Sequence, residues 1–87
     1  MGKLSDLPNI GKKLEEQLTQ VGIDTPEKLR QTGSREAWMR IYEVDPSACV
    51  NRLYSLEAAI AGVKKTELEE ERKQELKTFC REAKGQI

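Results

Sequence analysis

Eighty-seven residues suit one folding unit, because so short a chain buries a single apolar centre and has too little interior to divide. Hydrophobic residues make up 37% and charged residues 34%, a balance that permits helices burying one stripe each, and no apolar run approaches the roughly 20 residues of a membrane span. Fifteen Lys and Arg offset fifteen Asp and Glu, so a polyanion must be met by local clustering of positive charge rather than by net charge.

Apolar residues recur at helical rather than strand spacing, and no strand is expected. Lys3 to Leu7 makes at most two turns, ended by Pro8, which disfavours helical geometry in the residue before it. Asn9 then caps a helix carrying Ile10, Leu14, Leu18 and Val21 on one side, with Gly22 placed to stop it in the left-handed conformation. Thr25 and Pro26 form a cap and first helical position for a short helix with Leu29 inward, closed by Gly33. Ser34 caps the next helix, whose face Ala37, Trp38, Ile41 and Tyr42 makes Trp38 the expected largest contributor to the core. Asp45 and Pro46 break the chain. From about Ser47 to Ala61 runs the most apolar helix, with Cys49, Leu53, Leu56 and Ile60 on one side and Val50, Tyr54 and Ala61 beside them, and it is expected to be central. Thr66 and Glu69 have capping-box spacing for a last helix that reaches about residue 84 and places Leu76, Phe79, Cys80 and Ala83 on one stripe. The acidic run Glu69 to Glu71 in its first turn suits the helix dipole.

Cys49 and Cys80 lack neighbours at metal-ligand spacing, and there is no histidine, so neither a metal nor another cofactor is expected. Both cysteines fall on apolar stripes and are expected to be inert core thiols, unpaired in a reducing cytoplasm. Nothing resembling a secretory signal opens the chain, which makes the cytoplasm the expected location. Without histidine, a nucleophile beside a base or a Walker-type phosphate loop, an enzyme is not expected.

The stretch Leu7-Pro8-Asn9-Ile10-Gly11-Lys12-Lys13-Leu14 resembles the hairpin of helix-hairpin-helix DNA-binding motifs, with Asn9 where a glycine is usual. A tight turn entering a helix leaves backbone N–H groups unpaired and aimed outward, and the helix dipole adds positive potential there. On this reading Gly11 admits a phosphate close to the backbone, Asn9 tolerates left-handed geometry, and Lys12 and Lys13 add ionic contacts. The alternative makes Leu7 and Ile10 core plugs and Gly11 a point of close helix packing, with the lysines paired to Glu15 and Glu16. Leu29 to Arg35 repeats the Leu, Gly and basic spacing after 22 residues, which suggests a second hairpin presenting Ser34 and Arg35.

Taken together, Leu7 to Gly11, Val21-Gly22-Ile23 with Thr25, Leu29, Gly33, Asn51, Leu53 to Ile60, Gly62, Glu71-Arg72-Lys73 and Leu76 resemble the C-terminal domain of the TfoX family. That family comprises bacterial regulators of competence for DNA uptake. The resemblance covers about residues 7–76 and implies a compact all-α bundle of about five helices with a helix-hairpin-helix-like start, of the SAM/HhH-like type. It also implies a single domain over 1–87, without the separate N-terminal domain of the full-length regulator, an association with competence or DNA transformation, and no catalysis.

Within the matched region Asn51, Tyr54 and Glu57 share a helix face, where they serve either as a site or as partners for buried polar groups. The expected contact with DNA is weak and confined to the backbone, through Asn9, Ile10, Gly11, Lys12, Lys13, Ser34 and Arg35. The alternative is a protein-interaction or homodimerisation module using Trp38, Tyr42 or the last helix. No membrane and no metal is expected among the partners.

Overall fold

Proline and glycine set the order of helices in the computed structural model, which describes residues 3–85. A 3-10 turn at Leu4–Asp6 is followed by α1 (Lys12–Gln20), α2 (Pro26–Thr32), α3 (Ser34–Val44), α4 (Val50–Ala61), a second 3-10 turn at Lys65–Glu67 and α5 (Glu70–Gly85). The described residues contain no strand, and the expected all-α bundle of five helices is what forms.

Local chemistry accounts for most of the boundaries. Gly22 takes a φ of +88° just past α1, as expected of a helix stop. The Thr25 hydroxyl accepts the Lys28 N–H at 3.1 Å and Pro26 fills the first position of α2, where its missing N–H costs nothing. Only Gly33 separates α2 from α3, and its backbone at φ 88°, ψ 157° lies in a region essentially closed to residues with a Cβ. The abrupt change of direction between the two helices depends on that glycine.

The core gathers one stripe from each helix. Leu14 and Leu18 of α1, Leu29 of α2, Ala37, Trp38 and Ile41 of α3, Leu53, Leu56 and Ala59 of α4 and Leu76, Cys80 and Ala83 of α5 are all buried, joined by Leu4, Ile10 and Ile23 from the connections. Helix α4 packs against α2, α3, α5 and the second 3-10 turn, so it is central as expected. Trp38 is fully enclosed. Its indole N–H donates to the Cys49 carbonyl at 3.1 Å, its ring stacks on Tyr42 at 5.0 Å, and Phe79 packs against it in a T-shaped pair with centroids 6.2 Å apart.

Five local expectations are corrected. Helix α4 begins at Val50 rather than near Ser47, because the Asp45 carboxylate accepts both the N–H and the hydroxyl of Ser47 and folds residues 45–48 into a turn. Cys49 therefore precedes the helix and is exposed, whereas Cys80 is buried as expected. Ser34 is the first residue inside α3, not its cap. Gly11, not Asn9, is the residue that precedes α1. The Thr66 and Glu69 box does not form; Glu67 instead accepts the Lys64 N–H at 2.8 Å across the second 3-10 turn.

Asp45 also ties three parts of the chain together, since its second oxygen accepts from Gln17 of α1 at 2.8 Å and from Arg52 of α4 at 2.7 Å. Hydrogen bonds from Ser47 above all, then from Arg52 and Gln17, hold its carboxyl well below the usual carboxylate range. A carboxyl depressed on folding stabilises fully above its unfolded value, roughly 4, and loses that contribution as pH falls toward the folded value. Asp45→Asn is therefore expected to lower Tm at pH 7, with the gap from the parent chain narrowing steadily below about pH 4. A gap that stays constant down to pH 2 in thermal melts contradicts this assignment.

Candidate functional site

The turn before α1 is fastened to the protein at both ends. Leu4 and Ile10 are buried in the core, so the intervening residues bridge two anchored side chains. Asn9 sits between them with φ +69°, the left-handed geometry expected of it, which asparagine adopts more readily than most residues. Its carboxamide is engaged inside the protein at both its oxygen and its nitrogen: Nδ2 donates to the Val63 carbonyl and Oδ1 accepts the Lys65 N–H, both at 2.9 Å. One donor and one acceptor meet one acceptor and one donor, and the loop after α4 is clasped against the turn.

Gly11 shows no such internal duty. Its backbone is extended at φ −87°, ψ 178°, a conformation open to any residue, and a Cβ built on it meets no atom within 4 Å. Close helix packing therefore does not explain the glycine. No side chain caps α1, and among the described residues the amides of Gly11, Lys12, Lys13 and Leu14 have no protein acceptor. Lys12 and Lys13 are exposed and make no ion pair among the described residues; the expected pairing with Glu15 and Glu16 is not found.

Three carboxylates in these segments accept main-chain N–H groups, Glu15 that of Ser5 at 3.1 Å, Asp6 that of Lys3 at 2.9 Å and Glu67 that of Lys64, while Glu16 is exposed and makes no such bond among the described residues. Sequence reasoning missed Lys64 and Lys65, whose backbone the Asn9 clasp brings to the turn. Two adjacent lysines after Gly62 were visible, but nothing in the sequence indicated where that loop lies.

Ser34 and Arg35 lie elsewhere. Ser34 is buried and donates its hydroxyl to Glu57 at 2.6 Å, while the other Glu57 oxygen accepts from Arg72 at 2.8 Å. The Arg35 guanidinium lies 5.9 Å from the centre of the Phe79 ring. Both residues line a groove of about 690 Å³ between α3, α4 and α5, to which no residue of the 7–13 turn contributes. Of the shared face on α4, Glu57 thus links three helices, Tyr54 donates to the Lys73 carbonyl at 3.4 Å, and Asn51 is exposed. Among the described residues no group of acidic or cysteine side chains could hold a metal ion.

Two outcomes follow from this geometry. Asn9→Ala loses both clasp bonds and places an ordinary residue at positive φ, at an expected cost of about 2–4 kcal/mol, whereas Asn9→Gly loses only the bonds and costs about 1–2 kcal/mol. Equal losses in urea titrations contradict the left-handed assignment. Burial raises the Cys80 thiol, so a neutral thiol reagent should modify Cys49 rapidly and Cys80 only as fast as the protein opens. Equal modification rates in the native protein contradict that contrast.

Comparison with known proteins follows the same architecture. The structure superimposes on two crystal structures of Listeria monocytogenes proteins of unknown function. With a triclinic form it shares 48% identity and a TM-score of 0.95, covering 97% of this chain and 96% of that one. With a tetragonal form the values are 49% and 0.90, covering 92% and 98%. The chain is 36% identical over 74 residues to Protein Sxy of Escherichia coli strain K12, an alignment that takes in 85% of this chain and 35% of that protein. The chain thus spans about a third of the length of that curated relative. The description "TfoX C-terminal domain" matches residues 1–80, wider than the expected 7–76, and the chain belongs to the TfoX C-terminal domain family.

Proposed function

We propose that this domain is a non-enzymatic part of a regulator of competence or DNA transformation, and that it touches the DNA backbone, without reading bases, at the entry to α1. The association with competence comes from the family. The contact itself is supported by one observation above others: Gly11 is demanded neither by its conformation nor by its surroundings in the free protein, yet it stands where unpaired amides meet two exposed lysines. A phosphate drawn to those amides approaches the backbone closely, and there a side chain would obstruct it.

In this reading Lys12 and Lys13 supply charge, with Lys64 and Lys65 on the clasped loop adding to it. Asn9 and Ile10 position the turn without touching the ligand, while Ser34 and Arg35 belong to the separate groove. No described helix is long and apolar enough to cross a membrane, and contact with DNA implies a cytoplasmic domain.

Fluorescence anisotropy with a labelled duplex tests the proposal. Binding is expected in the range of about 10–100 µM at low salt, with log K falling against log salt at a slope of about −2 to −4, and with no preference between sequences. Lys12→Glu with Lys13→Glu should abolish it. Gly11→Ala is the sharper variant: it should leave the fold intact, with the lower chain entropy of the unfolded state offset by alanine's poorer fit just before a helix, while weakening DNA binding severalfold. Absence of binding at 100 µM protein and low salt, or binding indifferent to both changes, rejects the proposal.

A further inference from the structure

Charge on α5 is sorted by face. Glu71, Glu75, Thr78 and Glu82 recur at intervals of four, three and four residues and form one stripe, while Lys73, Lys77 and Lys84 fall on another. The glutamate stripe borders depressions that run into one another. The 690 Å³ groove is lined by Met39, Ile60, Phe79 and Ala83, with Arg35 and Glu82. Phe79 and Glu82 also line a shallower depression with Glu71 and Glu75, and those two line a third with Glu67 and Glu69. The result is a continuous surface with an apolar hollow at one end and carboxylates along the rest.

The cations on this surface are already committed. Arg72 pairs with Glu57 and reaches Glu75 at 3.6 Å, and Arg35 lies over the Phe79 ring. Glu82 pairs with no cation among the described residues. The helix dipole favours Glu70 and Glu71 in the first turn of α5, but it opposes a carboxylate in the last turn, where Glu82 stands. Helix stability accounts for Glu71 and the Arg72 contact for Glu75, but neither accounts for Glu82, and a surface carrying these carboxylates repels a nucleic acid.

We propose that the hollow around Phe79 and the adjoining glutamate stripe dock a basic amphipathic helix of a partner protein. The partner sets an apolar side chain between Met39, Ile60 and Phe79 and lays Lys or Arg residues along Glu71, Glu75 and Glu82. The occupant is assigned by charge complementarity: the hollow accepts an apolar anchor, and the carboxylates of Glu71, Glu75 and Glu82 beside it outnumber Arg35 and Arg72 and so favour positive charge. This surface shares no residue with the α1 entry, so the proposal is independent of DNA contact.

Two synthetic 18-residue helices serve as probes, one of Lys and Leu and one of Glu and Leu with the same apolar face. The Lys/Leu helix is expected to bind the whole chain at tens of micromolar and to shift the NMR signals of the Met39 and Ile60 methyl groups, and the Glu/Leu helix to do neither. Glu75→Lys with Glu82→Lys should weaken binding at least tenfold with far-UV circular dichroism unchanged, and Met39→Lys should block the hollow separately. Lys12→Glu with Lys13→Glu should leave peptide binding as it was.

The proposal is overturned if both probes bind alike, if charge reversal on α5 has no effect, or if the shifts map outside the groove. It is also overturned if sedimentation finds a dimer that the Glu75 and Glu82 changes dissolve, which assigns the face to a second copy.

Discussion

The Asn9 carboxamide is the contact on which the rest of the candidate DNA-facing corner depends. It satisfies a carbonyl and an amide of a loop more than fifty residues away while its own backbone takes the left-handed turn that aims the chain into α1. An amide side chain offers one donor face and one acceptor face at fixed separation, and the Val63 and Lys65 groups present the complementary pair. The exit of α4, the second 3-10 turn and the start of α1 are thereby fixed relative to one another. The open amides at Gly11 and the lysines of both segments owe their arrangement to this bond pair.

Two carboxylates act in the same manner elsewhere. Asp45 gathers α1, the turn after α3 and α4, and Glu57 gathers α3, α4 and α5. A domain this small has a core assembled from one narrow stripe per helix, and nondirectional burial leaves the angles between helices loosely specified. Partly shielded hydrogen bonds to charged groups supply the missing direction. Much of the polarity of the sequence is therefore structural, and the residues left outside these networks are the ones with surfaces to offer.

This division explains what was legible in the sequence. Periodicity revealed the helices and their inward faces because burial is a local pattern, and Thr25-Pro26, Gly22 and Gly33 marked boundaries because caps act within a few residues. The role of Asn9 was hidden because its partners are distant in the chain, and asparagine before a helix is ordinarily a cap. Ser34 misled for the same reason, its hydroxyl being taken by Glu57 across the bundle. The pattern Thr66-x-x-Glu69 lost to the competing Lys64–Glu67 turn, one of two similar signals with no local means of choosing between them. The start of α4 was set too early because the apolar spacing continues through Ala48, which is buried but lies in the Asp45 turn. Of the seven candidate contact residues, five are consecutive in the first turn and so adjacent by necessity, while the internal repeat suggested a kinship with Ser34 and Arg35, which line a separate groove.

Trp38 has a further consequence. It is the single tryptophan of the chain, sealed from water, with its N–H held by the Cys49 carbonyl and its ring in a T-shaped pair with Phe79 at the groove. The tryptophan emission of the molecule, excited apart from its two tyrosines, thus arises from one fixed chromophore whose neighbours include both an exposed thiol residue and the lip of a surface hollow. Events at either place are transmitted to it across one contact, which furnishes the domain with an intrinsic, label-free optical gauge.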